Sequence, residues 1–399
     1  MKEYGFPGIS ILQNIPEASE VHSPLFGIGK AKEALRFHQS LPCYRETTLV
    51  SLHEAAAEYH VGGIYVKDES ERFGLKAFKG LGGSYSMFRV LCQKTGLNPK
   101  TADYRDFQDP GIRQLCSGVH FVTATDGNHG KGVSWAAALF GCSATVYMPK
   151  GTVESRRAAI EAAGNAHAEI TASNYDQTVA YAKRMAAENG WVLLQDTAWD
   201  GYEQIPEWII DGYLTLAEET VRQLKEICPT HVLLQAGVGA MAGGVLDYLR
   251  TRFSDATIQM ILVEPTEAAC VYLSAKAADG SVHSLPGNPQ TVMAGLNCGT
   301  PCKITWPIMR DQVSFFCACD DDIAKQGMRA YAKPVGEDPL VVSGESGAVT
   351  YGLLLQILEN QTARDLFKIS ENSVFLLINT EGDTDPEGYL RVLQMGDSI

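Results

Sequence analysis

Hydrophobic and polar positions follow two patterns along this chain, one typical of short buried strands and the other of amphipathic helices. From residue 119 onward the two kinds of segment alternate. The apolar runs Val119–Thr125 and Ala144–Met148 predict strands. The segments that follow them, Gly130–Phe140 and Val153–Ala163, predict helices that each end at a glycine. This alternation with short connections predicts a parallel sheet that has helices on both faces.

A second alternating series follows a break near residues 195–205. It contains predicted strands at His231–Gln235, Ile258–Glu264 and Val374–Asn379, with predicted helices between them. Two such series predict an α/β protein with two open, twisted, mostly parallel sheets flanked by helices. The length of 399 residues agrees with this, because it exceeds what one small core normally uses.

Composition narrows the class of partner. The net charge is −14 and no lysine- or arginine-rich block is present, which argues against nucleic acid and anionic membrane as partners. The N-terminus lacks the pattern of a signal peptide, and no apolar run approaches the roughly 20 residues that span a bilayer. The ten cysteines are scattered and mostly lie in apolar runs, so we expect a cytoplasmic protein with reduced thiols. Whether Cys270 or Cys298 forms a disulfide stays open.

The first candidate for chemistry is a strand-to-helix stretch at residues 67–86, which holds three lysines. One of them, Lys79, lies between Phe78 and the glycine-rich residues 80–83, which we expect to be flexible. A lysine held by packing on one side and approachable on the other could present its amine to an aldehyde cofactor. The stretch alone leaves a second interpretation open, a surface lysine that precedes a helix.

A second candidate is the turn TDGNHG after the strand Val119–Thr125. The free backbone amides at the start of the next helix favour an anion such as a substrate carboxylate, and Asn128 could contact a cofactor oxygen. Asp126 would repel that anion unless the ligand also carries an amino group. The alternative is that Asp126 and Asn128 only cap the helix and shape the turn. The candidate substrate-binding residues are Thr125, Asp126, Gly127 and His129.

Three further strand ends carry polar or glycine-rich residues. The loop at residues 236–244, AGVGAMAGG, could wrap a phosphate with backbone amides. It also matches GxGxxA, and Glu264 ends the next strand, so a dinucleotide-binding oxidoreductase is a competing hypothesis. Asp196 and Thr380 each follow a predicted strand and are expected at the cleft. We expect no metal site, although the acidic residues 380–385 raise that question.

Taken together, these features resemble the fold type II (tryptophan synthase β-like) family of pyridoxal phosphate enzymes. The features are a lysine after a phenylalanine, a TxGNHG turn, a late glycine-rich loop and a polar residue near the C-terminus. The resemblance runs from about residue 45 to the C-terminus. Within the family the finer similarity is to the diaminopropionate ammonia-lyases, and it is carried by the segments KDESERFGLKAFKGLGGSY, ATDGNHGKGVSWAA, QDTAWDGYEQIP, QAGVGAMAGG and NTEGDTDPEGY.

The resemblance implies the cofactor and its contacts. It implies a homodimer whose large cofactor-binding domain comprises residues 1–85 and 196–399, with a small α/β domain at 86–195. The resemblance implies that Lys79 binds the aldehyde of pyridoxal 5′-phosphate, that Phe78 packs near its ring and that Asn128 contacts its phenolic oxygen. Thr380 would form a hydrogen bond with its ring nitrogen. Its phosphate would be bound by the backbone amides of Gly237, Val238, Gly239, Ala240 and Met241.

The resemblance also implies the reaction, an α,β-elimination of D- and L-2,3-diaminopropionate to pyruvate and two ammonia molecules. Threonine and serine dehydratases share the framework but usually have a small or apolar residue in place of Asp126, so a dehydratase is the alternative. The expected catalytic residues are Lys79, Asp126 and Asp196. Asp126 is the expected base for the D-isomer, whereas Asp196 or Lys79 would serve the L-isomer. A non-catalytic binding protein that kept the fold is a third hypothesis.

Overall fold

The protein is described by a computed structural model, in which residues 1–14, 24–125, 127–254, 256–287 and 289–395 are described. The described residues form twelve strands and fifteen α-helices. The strands are β1 Lys2–Phe6, β2 Ile9–Gln13, β3 Leu49–Ser51, β4 Gly63–Asp68, β5 His120–Ala124, β6 Ser143–Met148, β7 Ala166–Ile170, β8 Val192–Leu193, β9 His231–Gln235, β10 Gln259–Pro265, β11 Phe315–Cys319 and β12 Val374–Asn379. The helices are α1 Ile28–Gln39, α2 His53–Glu58, α3 Lys79–Thr95, α4 Pro110–Ser117, α5 Asn128–Phe140, α6 Glu154–Ala163, α7 Tyr175–Asn189, α8 Gln204–Leu224, α9 Ala240–Arg252, α10 Cys270–Ala277, α11 Trp306–Gln312, α12 Asp321–Ala332, α13 Glu345–Glu359, α14 Gln361–Leu366 and α15 Pro386–Gln394.

Packing divides the chain into two units. The first consists of Met1–Leu25, Glu46–Glu71 and Glu219–Ile399, and the second consists of Phe26–Arg45 and Arg72–Glu218. Each unit contains one of the two sheets. The chain therefore passes between the units several times, and each unit is assembled from segments that are distant in sequence.

The first unit contains an eight-stranded sheet in the order β1-β2-β11-β10-β9-β12-β4-β3. The five strands from β11 to β4 run parallel, and antiparallel pairs lie at both edges. All five residues of β9 are buried, which is expected for a central parallel strand with both faces covered. Because β9 and β12 are parallel neighbours, the loops after Gln235 and Asn379 begin at the same edge of the sheet.

The second unit contains a four-stranded, fully parallel sheet in the order β7-β6-β5-β8. Its strands β5 and β8 are neighbours, so the segments that contain Thr125 and Asp196 leave the same edge. Aromatic side chains from three helices pack beside this sheet, with Phe37 stacked on Phe88 at a ring-centroid distance of 4.3 Å and on Phe140 at 6.2 Å.

The predicted fold class is confirmed, since the structure has two mostly parallel sheets flanked by helices. The bounds of β9 and β12 agree with the sequence-based strands. The hairpin β1–β2 and helix α4 were not predicted. The expectation of flexible glycines at residues 80–83 was wrong, because these residues form the first turn of α3.

The division by packing gives the second unit more residues than the predicted small domain at 86–195. Helix α3 begins at Lys79 and lies so close to α5 that a Cβ on Gly83 would be 3.1 Å from the carbonyl carbon of Gly132. A Cβ on Gly212 in α8 would be 2.5 Å from the Leu81 carbonyl oxygen. These close helix contacts explain why residues on both sides of the range 86–195 pack with it.

Candidate active site

Each unit contains some of the candidate residues. Lys79, Asn128 and Asp196 belong to the second unit, whereas residues 237–241 and Thr380 belong to the first. Asp126 lies outside the described residues.

Lys79 is the first residue of helix α3, directly after Phe78 at the helix N-cap. Its Nζ donates a hydrogen bond of 2.6 Å to Oδ2 of Asp196. Two aromatic rings lie beside the same amine, with the ring centroid of Phe78 at 5.3 Å and that of Tyr213 at 5.8 Å from Nζ. The side chains of Lys79 and Asp196 retain 19% and 12% exposure, so the pair is largely enclosed but reachable. The structure therefore places Lys79 and Asp196, two of the predicted catalytic residues, in direct contact.

Tyr213 was not predicted as part of the site. It lies in the middle of the long helix α8, beyond the segment that carries the resemblance, and its ring is 4.8 Å from that of Phe78. The glycines of α3 make this contact possible, since a Cβ on Gly82 would lie 2.5 Å from the Tyr213 ring. These glycines serve close helix packing around Lys79, and the sequence pattern gave no way to find the ring that they accommodate.

The ionisation of Asp196 depends on Lys79. Burial acts to raise the pKa of Asp196, but the charge of Lys79, its hydrogen bond and the weaker effects of other neighbours together lower it more, so the pKa lies well below the usual range. Asp196 is thus a carboxylate at neutral pH and can accept a proton. If the Lys79 amine lost its charge, burial would remain and would act to raise the pKa of Asp196.

His129 is buried and lies next to the Lys79–Asp196 pair. Its Nε2 is 2.7 Å from the carbonyl oxygen of Leu194, so Nε2 carries the proton and donates, because a carbonyl oxygen can only accept. Its Nδ1 lies 3.8 Å from Oδ2 of Asp196 and has no hydrogen-bond partner among the described residues. Burial lowers the pKa of His129. The side chain predicted to bind substrate is therefore a neutral imidazole whose contacts are Leu194 and Asp196.

The turn after β5 leads into the thirteen-residue helix α5. The amide of Gly127 donates to Oγ1 of Thr125 at 3.1 Å, which fixes the turn, and Thr125 itself is buried. Asn128 is the first helical residue and is half-buried. The first backbone amides of a helix of this length precede the first intrahelical hydrogen bond and favour an anion.

The glycine-rich loop of the first unit also leads into a thirteen-residue helix, α9. The amide of Gly243 donates to the carbonyl of Gly239, so the amides of Ala240, Met241 and Ala242 precede this bond in the first turn. Gly239 has a φ of +81° in the left-handed region, where glycine is favoured. The loop thus presents backbone amides at a helix N-terminus, which is the arrangement that binds phosphate.

Two glycines of this loop lie close to neighbouring side chains. A Cβ on Gly237 would lie 3.1 Å from Sγ of Cys298, and a Cβ on Gly239 would lie 2.5 Å from Cε of Met309. The thiol of Cys270 donates to the Gly237 carbonyl at 3.5 Å. Neither Cys270 nor Cys298 forms a disulfide bond among the described residues.

Glu264 gave weight to the dinucleotide hypothesis, and the structure assigns it another role. Its two side-chain oxygens accept hydrogen bonds from the backbone amides of Val271, at 2.8 Å, and Tyr272, at 2.6 Å. The side chain is fully buried at the start of α10, so both oxygens are used within the protein. A ribose hydroxyl would have to displace these bonds.

Thr380 directly follows β12 and is buried. Its Oγ1 lies 3.0 Å from Nε2 of Gln235, the last residue of β9.

The described residues contain no group of three or more His, Cys, Asp or Glu side chains that could hold a metal ion. No helix in the described part of the chain is both long enough and apolar enough to cross a membrane.

These residues fit pyridoxal phosphate. A reachable lysine amine suits the aldehyde, and the loop at 236–239 with the start of α9 presents backbone amides at a helix N-terminus, as a phosphate requires. Comparison with known proteins leads to the same class. Residues 41–377 match the family described as pyridoxal-phosphate dependent enzyme. The chain belongs to this family, and its cofactor is pyridoxal 5′-phosphate.

Within the family, the chain is similar to the diaminopropionate ammonia-lyases. It is 44% identical to that of Escherichia coli strain K12 over 379 residues, covering 94% of each chain. It is 46% identical to that of Salmonella typhimurium strain LT2 over 373 residues, covering 92% of each. Two structures of the E. coli enzyme, in complex with D-serine and with an aminoacrylate-PLP azomethine reaction intermediate, match with TM-scores of 0.91 and 0.89. Both are 43% identical and cover 97% of each chain.

Similarity to dehydratases is more distant. A biosynthetic chloroplastic threonine dehydratase of Arabidopsis thaliana is 33% identical over 162 residues, which is 40% of this chain and 25% of that protein.

Proposed function

We propose that this chain catalyses the α,β-elimination of D- and L-2,3-diaminopropionate to pyruvate and two molecules of ammonia. The observation that carries the proposal is the Lys79–Asp196 contact, which places a carboxylate beside the amine expected to bind the cofactor. The similarity to diaminopropionate ammonia-lyases over almost the whole chain supports the choice of substrate. The distant similarity to a threonine dehydratase gives the alternative less support.

The cofactor would be bound by Lys79 through its aldehyde, by residues 237–241 through their amides and by Thr380 through its ring nitrogen. When bound, it supplies an electron sink that acidifies the substrate Cα. The chain supplies the acceptor for that proton. Asp196 is ionised beside Lys79 and can take the proton of the L-isomer, and Asp126 is the proposed acceptor for the D-isomer.

The remaining steps balance without an oxidant. Loss of the Cα proton and of the β-amino group as ammonia leaves 2-aminoacrylate. After release, water replaces the second nitrogen, so that pyruvate and a second ammonia form. The neutral hydroxyl of Thr380 cannot donate a full proton to the ring nitrogen, which makes the sink weaker and suits prompt elimination.

A substrate panel tests the proposal. The holoenzyme is offered D- and L-2,3-diaminopropionate, L-serine and L-threonine, and both 2-oxo acid and ammonia are measured. We expect dominant turnover of the diaminopropionates with two ammonia molecules per pyruvate. Dominant turnover of threonine, with one ammonia per 2-oxobutyrate, would overturn the proposal.

The proposal also includes the cellular location and the oligomeric state of the enzyme. We expect the enzyme to be cytoplasmic and to form a homodimer, as the resemblance implies. Light scattering after gel filtration of the holoenzyme measures the second property directly, and a mass of one chain would contradict it.

A further inference from the structure

Gln235 is a buried amide that belongs to no predicted site. It ends strand β9 and is only 2% exposed. Its Nε2 lies within hydrogen-bonding distance of three oxygens, at 3.1 Å from the Ser346 carbonyl, 2.9 Å from the Ile378 carbonyl and 3.0 Å from Oγ1 of Thr380. Its Oε1 is buried without a hydrogen-bond partner in the described part of the chain.

The two carbonyl oxygens fix the orientation of this amide. A carbonyl oxygen can only accept, so the amide nitrogen of Gln235 must face Ser346 and Ile378. The opposite orientation would place Oε1 against both carbonyl oxygens with no hydrogen between them. The same nitrogen therefore faces the hydroxyl of Thr380.

The orientation of the amide decides which way the Thr380 hydroxyl points. An amide nitrogen donates and does not accept, so toward Gln235 the Thr380 oxygen can only accept. Its hydrogen must then point away from Gln235. No acceptor for that hydrogen lies within bonding distance among the described residues. Thr380 is thus left with one unused donor.

We infer that Gln235 is a positioning residue that makes Thr380 a hydrogen-bond donor toward an unprotonated ring nitrogen of the cofactor. The inference rests on the role proposed for Thr380. A neutral pyridine nitrogen offers one lone pair and needs one donor, and the Gln235 contact leaves the Thr380 hydrogen available to it. A side chain that accepted from Thr380 at this position would remove the hydrogen from the ring.

The first test reads the ring nitrogen itself. Holoenzyme is prepared with pyridoxal phosphate labelled with ¹⁵N in the ring, and its nitrogen resonance is measured by NMR. We expect the shift of an unprotonated, hydrogen-bonded pyridine. The shift of a protonated ring would overturn the inference, and this measurement needs no Gln235 variant to fold.

The second test is a double-mutant cycle on cofactor affinity. Gln235→Met keeps the volume but removes the donor, and Thr380→Val removes the hydroxyl. We expect each to weaken pyridoxal phosphate binding by roughly three- to tenfold, as loss of one hydrogen bond predicts. If Gln235 acts through Thr380, the double variant is no weaker than Thr380→Val alone. Multiplied effects in the double variant would overturn the inference.

A matched control separates positioning from packing. Asn379 is the neighbouring buried amide, and it bonds Asp68 at 2.8 Å and the Val342 carbonyl at 2.9 Å without contacting Thr380 in the hydrogen bonds described. We expect Asn379→Leu to lower the unfolding temperature but to leave the ¹⁵N shift unchanged, whereas Gln235→Met moves the shift toward free pyridine. An equal change of shift in both variants would show that only packing matters.

The experiments distinguish an error in this inference from an error in the proposed function. If Thr380→Val left cofactor affinity and the ¹⁵N shift unchanged, the role of Thr380 would be wrong and the inference about Gln235 with it. The substrate panel would still report diaminopropionate turnover in that case. If the proposed function itself were wrong, the unaltered enzyme would turn over mainly threonine.

Discussion

The Lys79 ammonium lies 2.6 Å from the Asp196 carboxylate, and this contact governs when Asp196 can take up a proton. With the ammonium present, the pKa of Asp196 is held well below its usual range, although burial acts to raise it. If the ammonium charge were absent, its lowering effect on the pKa of Asp196 would be lost. Burial would then act to raise the pKa of Asp196, which is the direction that favours general-base catalysis.

Replacement of Asp196 by asparagine separates the two proposed bases. We expect Asp196→Asn to lower kcat/KM for L-2,3-diaminopropionate by about 10²–10⁴-fold, because an amide cannot accept the Cα proton. Turnover of the D-isomer should stay within a few-fold of wild type. Steady-state assays with both isomers measure this, and Asp200→Asn, an exposed aspartate a few residues away, is the matched control. Equal loss for both isomers would contradict separate bases.

Sequence patterns nominate candidate residues at strand ends, but they do not reveal the partners of these residues. Asp196 and Thr380 follow predicted strands and Lys79 precedes a glycine-rich run, so the sequence could nominate them as candidates. Gln235 and Thr380 are 145 positions apart, and their contact exists only because β9 and β12 are neighbours in the sheet. No local pattern carries information about such a pair, because only the folded sheet brings the two side chains together.

Among the elements, helix α3 shows how close packing supports the site. A Cβ on Gly82 would lie 2.5 Å from Cε1 of Tyr213 and 2.7 Å from Cγ2 of Ile209. The sequence pattern suggested flexibility because glycine runs often mark loops. Here the glycines let α8 approach α3 and bring an aromatic ring to the Lys79 amine. Composition cannot distinguish these two uses of glycine.

A single methyl group on α3 should therefore disturb both stability and the site. We expect Gly82→Ala to lower the free energy of unfolding by about 1–3 kcal/mol, because the Tyr213 ring must move from an overpacked contact. The displaced ring should also weaken pyridoxal phosphate binding. Urea unfolding and cofactor titration measure the two effects.

The control for that variant lies on another helix of the same unit. Gly29 in α1 is exposed and has no atom within 4 Å of its added Cβ, so Gly29→Ala should leave stability unchanged or slightly higher. An unfolding midpoint for Gly82→Ala equal to that of Gly29→Ala would contradict the packing argument.

For the whole molecule, the order of strands in the sheets differs from their order in the chain. The alternating pattern indicated two α/β series, and each sheet is indeed built from one main series. The first sheet also takes β3 and β4 and the N-terminal hairpin, which precede the second unit's strands in the chain. Strand pairing between distant segments depends on the three-dimensional packing of the helices. For this reason sequence patterns locate the elements better than the unit boundaries.

Stability of the whole molecule should depend on pH through Glu264. Burial raises the pKa of this carboxyl to about 8, from 4.5 for an exposed glutamate, although two backbone amides bonded to it act in the opposite direction. Between pH 4.5 and about 8 the folded state therefore binds more protons than the unfolded state. The free energy of unfolding then falls as pH rises through this window, by at most about 1.4 kcal/mol per pH unit.

Glu264→Gln tests this dependence, because its amide does not titrate. Relative to wild type we expect the variant to be less stable near pH 5, where it loses one acceptor for the amides of Val271 and Tyr272, and to lose this difference as pH rises toward 8. Calorimetric unfolding of the holoenzyme at several pH values measures the difference between the two proteins, in which the contributions of other groups cancel. Glu267→Gln, which removes an exposed carboxylate three residues away, should run parallel to wild type. If Glu264→Gln also ran parallel to wild type across this range, Glu264 would be ionised in the folded protein, and its two amide bonds would outweigh its burial.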